Sequence, residues 1–352
     1  MKNFFAMLLA MMGITSACSQ ENFESREVGD FARLADSCDV VVLDVRTAEE
    51  FAEGHLDGAV NIDVKKGDFG ERADALLPKD KTIALYCKTG RRAKLAAVQL
   101  VGKGYRVVNL KGGIEAWKEV SMPVTTDAHE RDVFTTPGGK TVKIYALMHA
   151  SIRIVYDGTE IEIDPVRQLG DRTTDYAALP QADYLLVTHE HGDHFDADVL
   201  KQLTKVGTRL VCNQRVQTLN GGWGLVMKNG EREQLADGIT VEAVPAYNTT
   251  AGREQFHPKG RDNGYILTLD GLRIYIAGDT EDTPEMADVR DIDIAFLPCN
   301  QPYTMTPDQL VRAARVVRPK VLFPYHYGQT DVSGLPAQLK ADGIDVRIRL
   351  YE

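Results

Sequence analysis

Short apolar runs in the first third of the chain alternate with amphipathic stretches and turn residues. Runs at 40–43, 81–86 and 105–110 have the length of buried strands, and residues 93–103 carry a helical pattern. Thr47, with Glu50 three residues later, has the spacing of a capping box and predicts a helix start. Strands that alternate with helices in this way predict an α/β unit with a parallel sheet.

The pattern becomes β-rich after residue 140. Alternating apolar and polar positions predict strands at 141–146, 151–156 and 160–163, with Asp157-Gly158 as a hairpin turn. Later apolar runs share the property of ending in polar, chemically active residues, and they lie at 184–187, 239–247, 272–277 and 321–324. Because a layered sheet brings strand ends to one edge, these polar side chains are expected to converge.

The first eighteen residues differ in kind from the rest of the chain. After Met1-Lys2-Asn3, residues 4–14 form an uninterrupted apolar segment, and residues 15–17 are small. This layout is typical of a secretory signal and is too short for a membrane-spanning helix. Cys18 follows at once, so the segment resembles a bacterial lipoprotein signal. We therefore expect a periplasmic or cell-surface protein, lipid-anchored to a bacterial membrane, with cleavage near Ala17 and a soluble product as the alternative.

These patterns divide the chain into four parts. The predicted parts are a signal peptide at 1–18, an α/β domain at 19–120, a linker at 121–139 and a β-rich domain at 140–352. Hydrophobic residues make up 43% and charged residues 26% of the chain, which is ordinary for globular domains. The formal net charge of −10 argues against nucleic acid as a partner, because phosphate binding needs a basic surface. The five cysteines have neither metal-knuckle nor disulfide-framework spacing.

The densest cluster of chemically active side chains directly follows the apolar run at 184–187. Its potential ligands are His189, His191, Asp193 and His194. Neutral imidazoles and carboxylates are the ligands that zinc, iron and manganese prefer. Residues two apart on an extended segment point the same way, and Gly192 lets the backbone turn sharply so that the second pair faces the first. The cluster therefore predicts a metal centre.

Two later strand ends offer further metal ligands. Asp279 follows the run at 272–277, and His326 follows the run at 321–324. The carboxylate of Asp279 can bridge two ions, and His326 adds an imidazole. The sequence therefore predicts that several strand ends contribute to one centre.

A second chemical centre surrounds Cys87, which ends the run at 81–86. The residues that follow it and precede the next helix are Lys88, Thr89, Gly90, Arg91 and Arg92. Backbone N–H groups and the helix dipole stabilise a thiolate at such a position and bind an anion attached to it. We call residues 87–92 the cysteine loop and predict that its residues cradle a substrate anion.

Several motifs before residue 120 carry a family resemblance. LDVR at 43–46, GHLDGA at 54–59, the cysteine loop and LKGGIEAW at 110–117 together resemble a rhodanese domain over about residues 24–120. The resemblance implies that Cys87 carries a persulfide between a sulfur donor and an acceptor. Its six-residue loop is similar to that of sulfur-transferring rhodaneses, whereas related phosphatases and arsenate reductases have a longer loop. An inactive rhodanese fold used for docking is the alternative.

The β-rich part resembles another family. HEHGDH at 189–194, GDT at 278–280 and YHYG at 325–328 are similar to the motifs of the metallo-β-lactamase superfamily. The resemblance implies an αββα sandwich, in which two sheets pack face to face with helices outside. It is closest to the branch of ascorbate-6-phosphate lactonase and N-acylphosphatidylethanolamine phospholipase D. It places His149 beside the site as a substrate-binding or outer-layer group.

The superfamily resemblance implies two metal ions, with zinc the first choice and manganese or iron as alternatives. The implied ligands are His189 and His191 for one ion, Asp193, His194 and His326 for the other, and Asp279 between them.

The third ligand of the first ion is the uncertain position. The superfamily usually ends the run at 239–247 in a histidine, but this chain has Asn248 there. An asparagine oxygen is a poor transition-metal ligand beside imidazole. His257 lies nearby in a Phe-His-Pro-Lys sequence and is our preferred third ligand, with a loop histidine that bonds the backbone as the alternative.

Together the resemblances imply a metal-dependent hydrolase of a small-molecule ester, lactone, amide or phosphodiester that uses a metal-bound hydroxide. Asp193 would hold or accept the proton. The hydrolase is fused to a sulfurtransferase domain with Cys87 as nucleophile. Persulfide dioxygenases share this fold and can be joined to rhodaneses, so sulfur oxidation with a single iron is the alternative. A third possibility is a membrane-tethered binding protein without catalysis.

Overall fold

A computed structural model describes residues 23–126, 129–349 and 351. The expected signal peptide at 1–18 and its Cys18 lie outside the described residues. Within the described ranges, every helix is too short or too polar to cross a bilayer.

The N-terminal domain is a parallel α/β unit, as the alternation of strands and helices predicts. Its strands are β1 (Glu24–Arg26), β2 (Val40–Asp44), β3 (Val60–Asn61), β4 (Thr82–Tyr86) and β5 (Arg106–Leu110). Its helices are α1 (Val28–Ala35), α2 (Ala48–Ala52), α3 (Phe69–Leu76), α4 (Arg91–Gly102) and α5 (Gly113–Glu119). The strand order is β1-β5-β4-β2-β3, and every pairing is parallel. The predicted capping box forms at α2, where Thr47 and Glu50 bond reciprocally.

The C-terminal domain contains two seven-stranded sheets. Its first sheet has the order β14-β13-β12-β9-β8-β7-β6. The strands of this sheet are β6 (Arg131–Thr135), β7 (Thr141–Met148), β8 (Ser151–Tyr156), β9 (Thr159–Ile163), β12 (Ala182–Leu186), β13 (Thr204–Cys212) and β14 (Leu225–Val226). Two short strands, β10 (Gln168–Leu169) and β11 (Arg172–Thr173), form a separate ribbon.

The second sheet follows chain order from β15 to β21. Its strands are β15 (Arg232–Ala236), β16 (Ile239–Ala246), β17 (Asp262–Leu269), β18 (Leu272–Ile276), β19 (Ile294–Pro298), β20 (Val321–Tyr325) and β21 (Asp345–Val346). The helices of the domain are α6 (Ala197–Leu203), α7 (Gln214–Leu219), α8 (Pro307–Val317) and α9 (Leu335–Leu339), with 3₁₀ turns at Pro284–Asp288 and Lys340–Asp342.

The two sheets pack face to face with the helices outside, which confirms the expected αββα sandwich. Ile154 and Ile161 of the first sheet share one core with Leu267 and Phe296 of the second. On the outer faces, α6 and α7 cover β12 and β13, and α8 covers β18 to β20. Burial of these apolar faces is the main source of stability.

Part of the expected linker belongs to the second domain. Arg131–Thr135 forms β6 and pairs antiparallel with β7 at the edge of the first sheet. The strand has little apolar alternation because the side chains buried in it include charged Arg131 and Asp132, and the Asp132 carboxylate is paired with Arg347 and Arg349 at 2.7 Å. β6 therefore lies within the range expected for the linker, and buried ion pairs rather than a hydrophobic pattern hold it in the sheet.

The domains contact each other through polar groups, of which Arg131 and Tyr145 are buried. Arg131 Nη1 lies 2.7 Å from Asp57 Oδ2, and its side chain is 5% exposed. The Tyr145 hydroxyl donates to the same carboxylate at 2.8 Å. Lys143 Nζ pairs with Asp36 at 2.9 Å. Because Arg131 and Tyr145 are buried, the interface depends on these partners for the hydrogen bonds that water would otherwise supply.

Candidate functional site

Three histidines from two loops form a first donor group. His189 and His191 follow β12, and His257 lies in the loop between β16 and β17. Their donor nitrogens all lie within 4.8 Å of one another, and His189 Nε2 is 3.1 Å from His191 Nδ1. His189 and His257 are buried, whereas His191 is half-buried. The group has the composition of a three-imidazole metal site.

Four residues form a second donor group next to the first. Asp193 and His194 continue the loop after β12, His326 follows β20, and His149 lies in the turn between β7 and β8. Their donor atoms lie within 4.8 Å of one another. Asp193 Oδ2 is 3.3 Å from His149 Nε2 and 3.4 Å from His326 Nε2. The fold thus brings together the three ligands expected for the second ion and adds His149.

Asp279 lies between the two donor groups. Its Oδ2 is 3.3 Å from Nε2 of His257 and 3.3 Å from Nε2 of His326. Its Oδ1 is 3.2 Å from Nε2 of His194. Gly278 makes this position possible, because at φ +65 a Cβ would lie only 2.8 Å from a backbone oxygen of β17. The carboxylate therefore occupies the place expected of a bridging ligand.

The donor atoms fit divalent metal ions. Tetrahedral zinc with bonds of about 2.0–2.1 Å holds neighbouring ligand atoms about 3.3 Å apart, and the pairs measured here are separated by 3.1 to 3.4 Å. His194 Nε2, Asp279 Oδ1 and both ring nitrogens of His326 are buried without a hydrogen-bond partner among the described residues. Such orphaned polar atoms cost free energy, and bound cations would remove that cost.

Two buried carboxylates orient donor histidines from behind. Asp164 Oδ2 lies 2.8 Å from His194 Nδ1, and Asp262 Oδ2 lies 3.1 Å from His257 Nδ1. Asp164 follows β9 and also accepts the N–H and the hydroxyl of Thr188, each at 2.7 Å. A carboxylate on Nδ1 fixes the proton there and leaves Nε2 free for a metal.

Burial and neighbouring charges shift the pKa values of the histidines in opposite directions. Burial opposes protonation of His257, but Asp262 and Asp279 outweigh it and raise its pKa to about 9. Burial lowers the pKa of His149 to about 4, and neighbouring His326 adds to the shift. Burial likewise keeps the pKa of His189 well below its ordinary value. A metal ion would replace the Nε2 proton of His194 and of His257, whose Nδ1 atoms face carboxylates, because a metal ligand must be unprotonated at its donor atom.

The cysteine loop lies at the carboxyl end of the N-terminal sheet. Cys87 is buried directly after β4, and the N–H of Gly90 donates to its Sγ at 3.2 Å. Lys88 and Thr89 are exposed, as is Arg91 at the start of α4. Arg92 is held by Glu50 through bonds of 2.6 and 2.7 Å, so part of the positive charge expected beside the thiol is neutralised.

The cysteine loop packs closely against α5. Gly113 begins that helix at φ +64, and a Cβ there would lie 2.4 Å from the carbonyl oxygen of Cys87 and 2.5 Å from that of Lys88. Only glycine fits this position without displacing the loop.

Comparison with known proteins identifies both domains. Residues 27–120 match the Rhodanese-like domain, and residues 143–326 match the Beta-lactamase superfamily domain. The chain belongs to the β-lactamase superfamily. Its N-terminal unit is a rhodanese-like domain.

Similar superfamily members are metal-dependent hydrolases. A UPF0173 metal-dependent hydrolase of Thermococcus onnurineus is 31% identical over 195 residues, which cover 53% of this chain and 84% of that protein. A crystal structure from Parabacteroides distasonis, assigned as a metal-dependent hydrolase, is 51% identical with a TM-score of 0.60 and covers 63% of this chain and 98% of its own. Igni18, a metallo hydrolase from Ignicoccus hospitalis, is 27% identical with a TM-score of 0.51, covering 59% and 94%. The chain is thus a superfamily member of the metal-dependent hydrolase type.

In this chain His257, rather than Asn248, lies among the donor residues. Asn248 is buried, its side-chain amide donates to the carbonyl oxygen of Tyr303 at 2.9 Å, and its N–H donates to the carbonyl oxygen of His257 at 2.9 Å. Asn248 therefore holds the two neighbouring loops together. His257, from the following loop, lies within 4.8 Å of the donor atoms of His189 and His191, so it is placed to supply the imidazole expected at the strand end.

Three side chains near the candidate metal centre received little or no weight in the sequence. His149, expected beside the site, lies within 4.8 Å of the donor atoms of Asp193, His194 and His326. Asp164 and Asp262 were not singled out, although Asp164 directly follows β9 and Asp262 begins β17. The signal available for Asp164 was an Asp-Pro pair after an apolar strand. The positions of His149 and Asp262 depend on loop conformation, for which the sequence carries no comparable signal.

Proposed function

We propose that the β-lactamase superfamily domain hydrolyses an ester, lactone, amide or phosphodiester bond of a small molecule. The strongest support is the position of Asp279, whose Oδ2 is 3.3 Å from one histidine of each donor group. Two divalent cations, with zinc the first choice, would supply an acidified water as nucleophile and positive charge opposite the developing oxyanion.

The substrate would approach from the side of His191 and Asp193, because the other donors are buried. The Asp193 side chain is 30% exposed, against 3% for Asp279. Burial opposes its ionisation, but the imidazole of His194 and the nearby imidazoles of His149 and His326 keep the pKa of Asp193 well below its usual range. Asp193 would therefore orient a water molecule as an acceptor rather than retain a proton at neutral pH.

Hydrolysis can be tested with chromogenic esters, a lactone, an anilide and bis(p-nitrophenyl) phosphate. We expect activity on at least one substrate class, loss on chelation, and recovery with zinc or manganese. Asp279→Asn should lower kcat at least about a hundredfold, because the bridging charge is lost. Asp183→Asn is a matched control, since Asp183 caps the N–H of Glu160 at the start of the β9–β12 strand pair. Full activity of the metal-free protein would contradict the proposal.

Sulfur oxidation with one iron is the competing function. The second donor group favours two ions, because an intact set of three imidazoles and a carboxylate has no role in a mononuclear scheme. Metal analysis and oxygen uptake with glutathione persulfide separate the two functions. One iron per chain together with oxygen uptake would establish the dioxygenase and end the hydrolase proposal.

We also propose that the rhodanese-like domain transfers sulfur through Cys87. The buried thiol at the N-terminus of α4, with the Gly90 N–H directed at its sulfur, supports a bound persulfide. Cyanide-dependent thiocyanate formation from thiosulfate should disappear in Cys87→Ala and persist in Cys38→Ala, because Cys38 lies outside the cysteine loop. Absence of transfer from any sulfur donor in the wild type would instead favour a docking role.

Export and lipid attachment remain proposals that depend on the sequence. Cys18 would carry the lipid and anchor the protein to a bacterial membrane. Labelled fatty acid should enter the wild type and not Cys18→Ala. An unlabelled, soluble exported protein would support simple cleavage instead.

A further inference from the structure

His149 has a backbone conformation that ties it to the second donor group. It adopts φ +54, a left-handed conformation that is costly for a residue with a side chain. Its carbonyl oxygen accepts the N–H of His326 at 3.1 Å, and the centroids of the two rings lie 3.7 Å apart with the ring planes tilted by 45°. His326 itself has φ +50. Two turns from different sheets are thus fixed to each other so that both imidazoles face one place.

The two imidazoles lie at nearly the same distance from the Asp193 carboxylate. Nε2 of His149 lies 3.3 Å from Asp193 Oδ2, and Nε2 of His326 lies 3.4 Å from the same oxygen. Both separations match the spacing of about 3.3 Å between neighbouring ligands of a tetrahedral zinc ion. His149 is also 8% exposed, so little of its surface is available to a substrate.

We propose that His149 is itself a ligand of the second cation, an inference that rests on the proposed metal-dependent function. The second site then has four donors of its own, with Asp279 as a shared fifth. The first site has three histidines and the shared carboxylate, so it keeps the more open coordination. Exchangeable water and substrate would therefore reach the first site more readily than the second.

The imidazole of His149 can be removed with little backbone strain. Glycine adopts positive φ freely, so His149→Gly suits the observed φ of +54 better than alanine would. Asp157→Gly is the matched control, because Asp157 has φ +49 in the turn between β8 and β9 and its carboxylate forms an exposed ion pair with Lys140 at 3.1 Å. Both variants change a left-handed residue to glycine, and only one removes a donor.

Zinc and cobalt titrations of the metal-free full-length chain test the proposal. The wild type and Asp157→Gly should bind two zinc equivalents, and His149→Gly should bind the second at least about tenfold more weakly. The cobalt absorption of the second equivalent should change in His149→Gly, and added imidazole should restore both readouts, which a purely structural role would not predict.

Three results would overturn the assignment. Wild-type zinc affinity and cobalt absorption in His149→Gly, with reduced turnover, would make His149 a substrate-binding residue. A wild type that binds one zinc ion and hydrolyses substrate would remove the second site while leaving the proposed function standing. A wild type that binds no metal would overturn both the ligand assignment and the proposed function.

Discussion

Asp164 offers a sharp test of how the fold prepares a metal ligand. Its two oxygens accept the N–H and hydroxyl of Thr188 at 2.7 Å each and face His194 Nδ1 at 2.8 Å. In Asp164→Asn, one oxygen can still accept the Thr188 N–H. The amide group then faces the hydroxyl and His194 Nδ1, so the imidazole must accept there and carry its proton on Nε2. That atom is the one directed at Asp279, 3.2 Å away.

The expected magnitude follows from these bonds. Loss of an outer carboxylate partner weakens metal binding about 10- to 100-fold, which is about 1.4–2.7 kcal/mol. The fold should lose about 1–3 kcal/mol, because one charge-assisted bond is replaced and the hydroxyl can rotate. The backbone should not be strained, because asparagine tolerates the φ of +46 observed at Asp164.

Competition between the metal-free protein and a chromophoric chelator measures the zinc affinity, and urea unfolding measures the stability. Asp183→Asn again serves as control, because it removes a carboxylate from the opposite end of the same strand pair. We expect weakened zinc binding only in Asp164→Asn. Wild-type zinc affinity in a folded Asp164→Asn variant would refute the argument that this carboxylate sets the ligand's tautomer.

Three further predictions address the interface, the cysteine loop and acid stability. Tyr145→Phe removes the hydroxyl that donates to Asp57 across 2.8 Å, so urea unfolding should show a free energy of unfolding about 1 kcal/mol lower. The same substitution should have no effect in an Asp57→Ala background, and additive losses in the double variant would contradict the contact. Gly113→Ala places a Cβ 2.4 Å from a carbonyl oxygen of the cysteine loop, so thiocyanate formation should fall at least about tenfold while zinc binding stays unchanged. A wild-type rate of sulfur transfer would show that the loop can shift without loss of function. Hydrogen bonds from Arg92 lower the pKa of Glu50 to about 2 from 4.5, so their stabilisation is complete above pH 4.5 and is lost as the pH falls towards 2. Urea unfolding should therefore separate wild type from Glu50→Gln by about 1 kcal/mol at pH 6 and by progressively less below pH 4.5, and a constant difference would contradict this.

The fold was largely predictable because its signals are local. The apolar run at 40–43 and the Thr47–Glu50 capping box predict β2 and the start of α2, and both form. The exception is β6, where Asp132 is the buried residue and two distant arginines balance its charge. A strand stabilised by partners more than two hundred residues away along the chain has no local periodicity to detect.

The candidate metal centre was predictable in part. The spacing of His189, His191, Asp193 and His194 on one strand end is visible in the sequence, because neighbouring ligands need only local geometry. The choice between Asn248 and His257 was not visible in the same way. It depends on a loop that returns beside the strand end, where the N–H of Asn248 bonds the carbonyl oxygen of His257.

The sequence by itself determined the two domain families and indicated the candidate chemistry of each centre and the candidate ligands at the strand ends. Only the tertiary structure decided which distant residues complete them. His149 reaches the second donor group because its turn is hydrogen-bonded to the turn of His326, and Asp262 reaches His257 because β17 begins beside that loop. The reason is physical: side-chain type and local periodicity are properties of short segments, whereas a donor cluster with spacings of 3.1 to 3.4 Å requires turns from two packed sheets to meet.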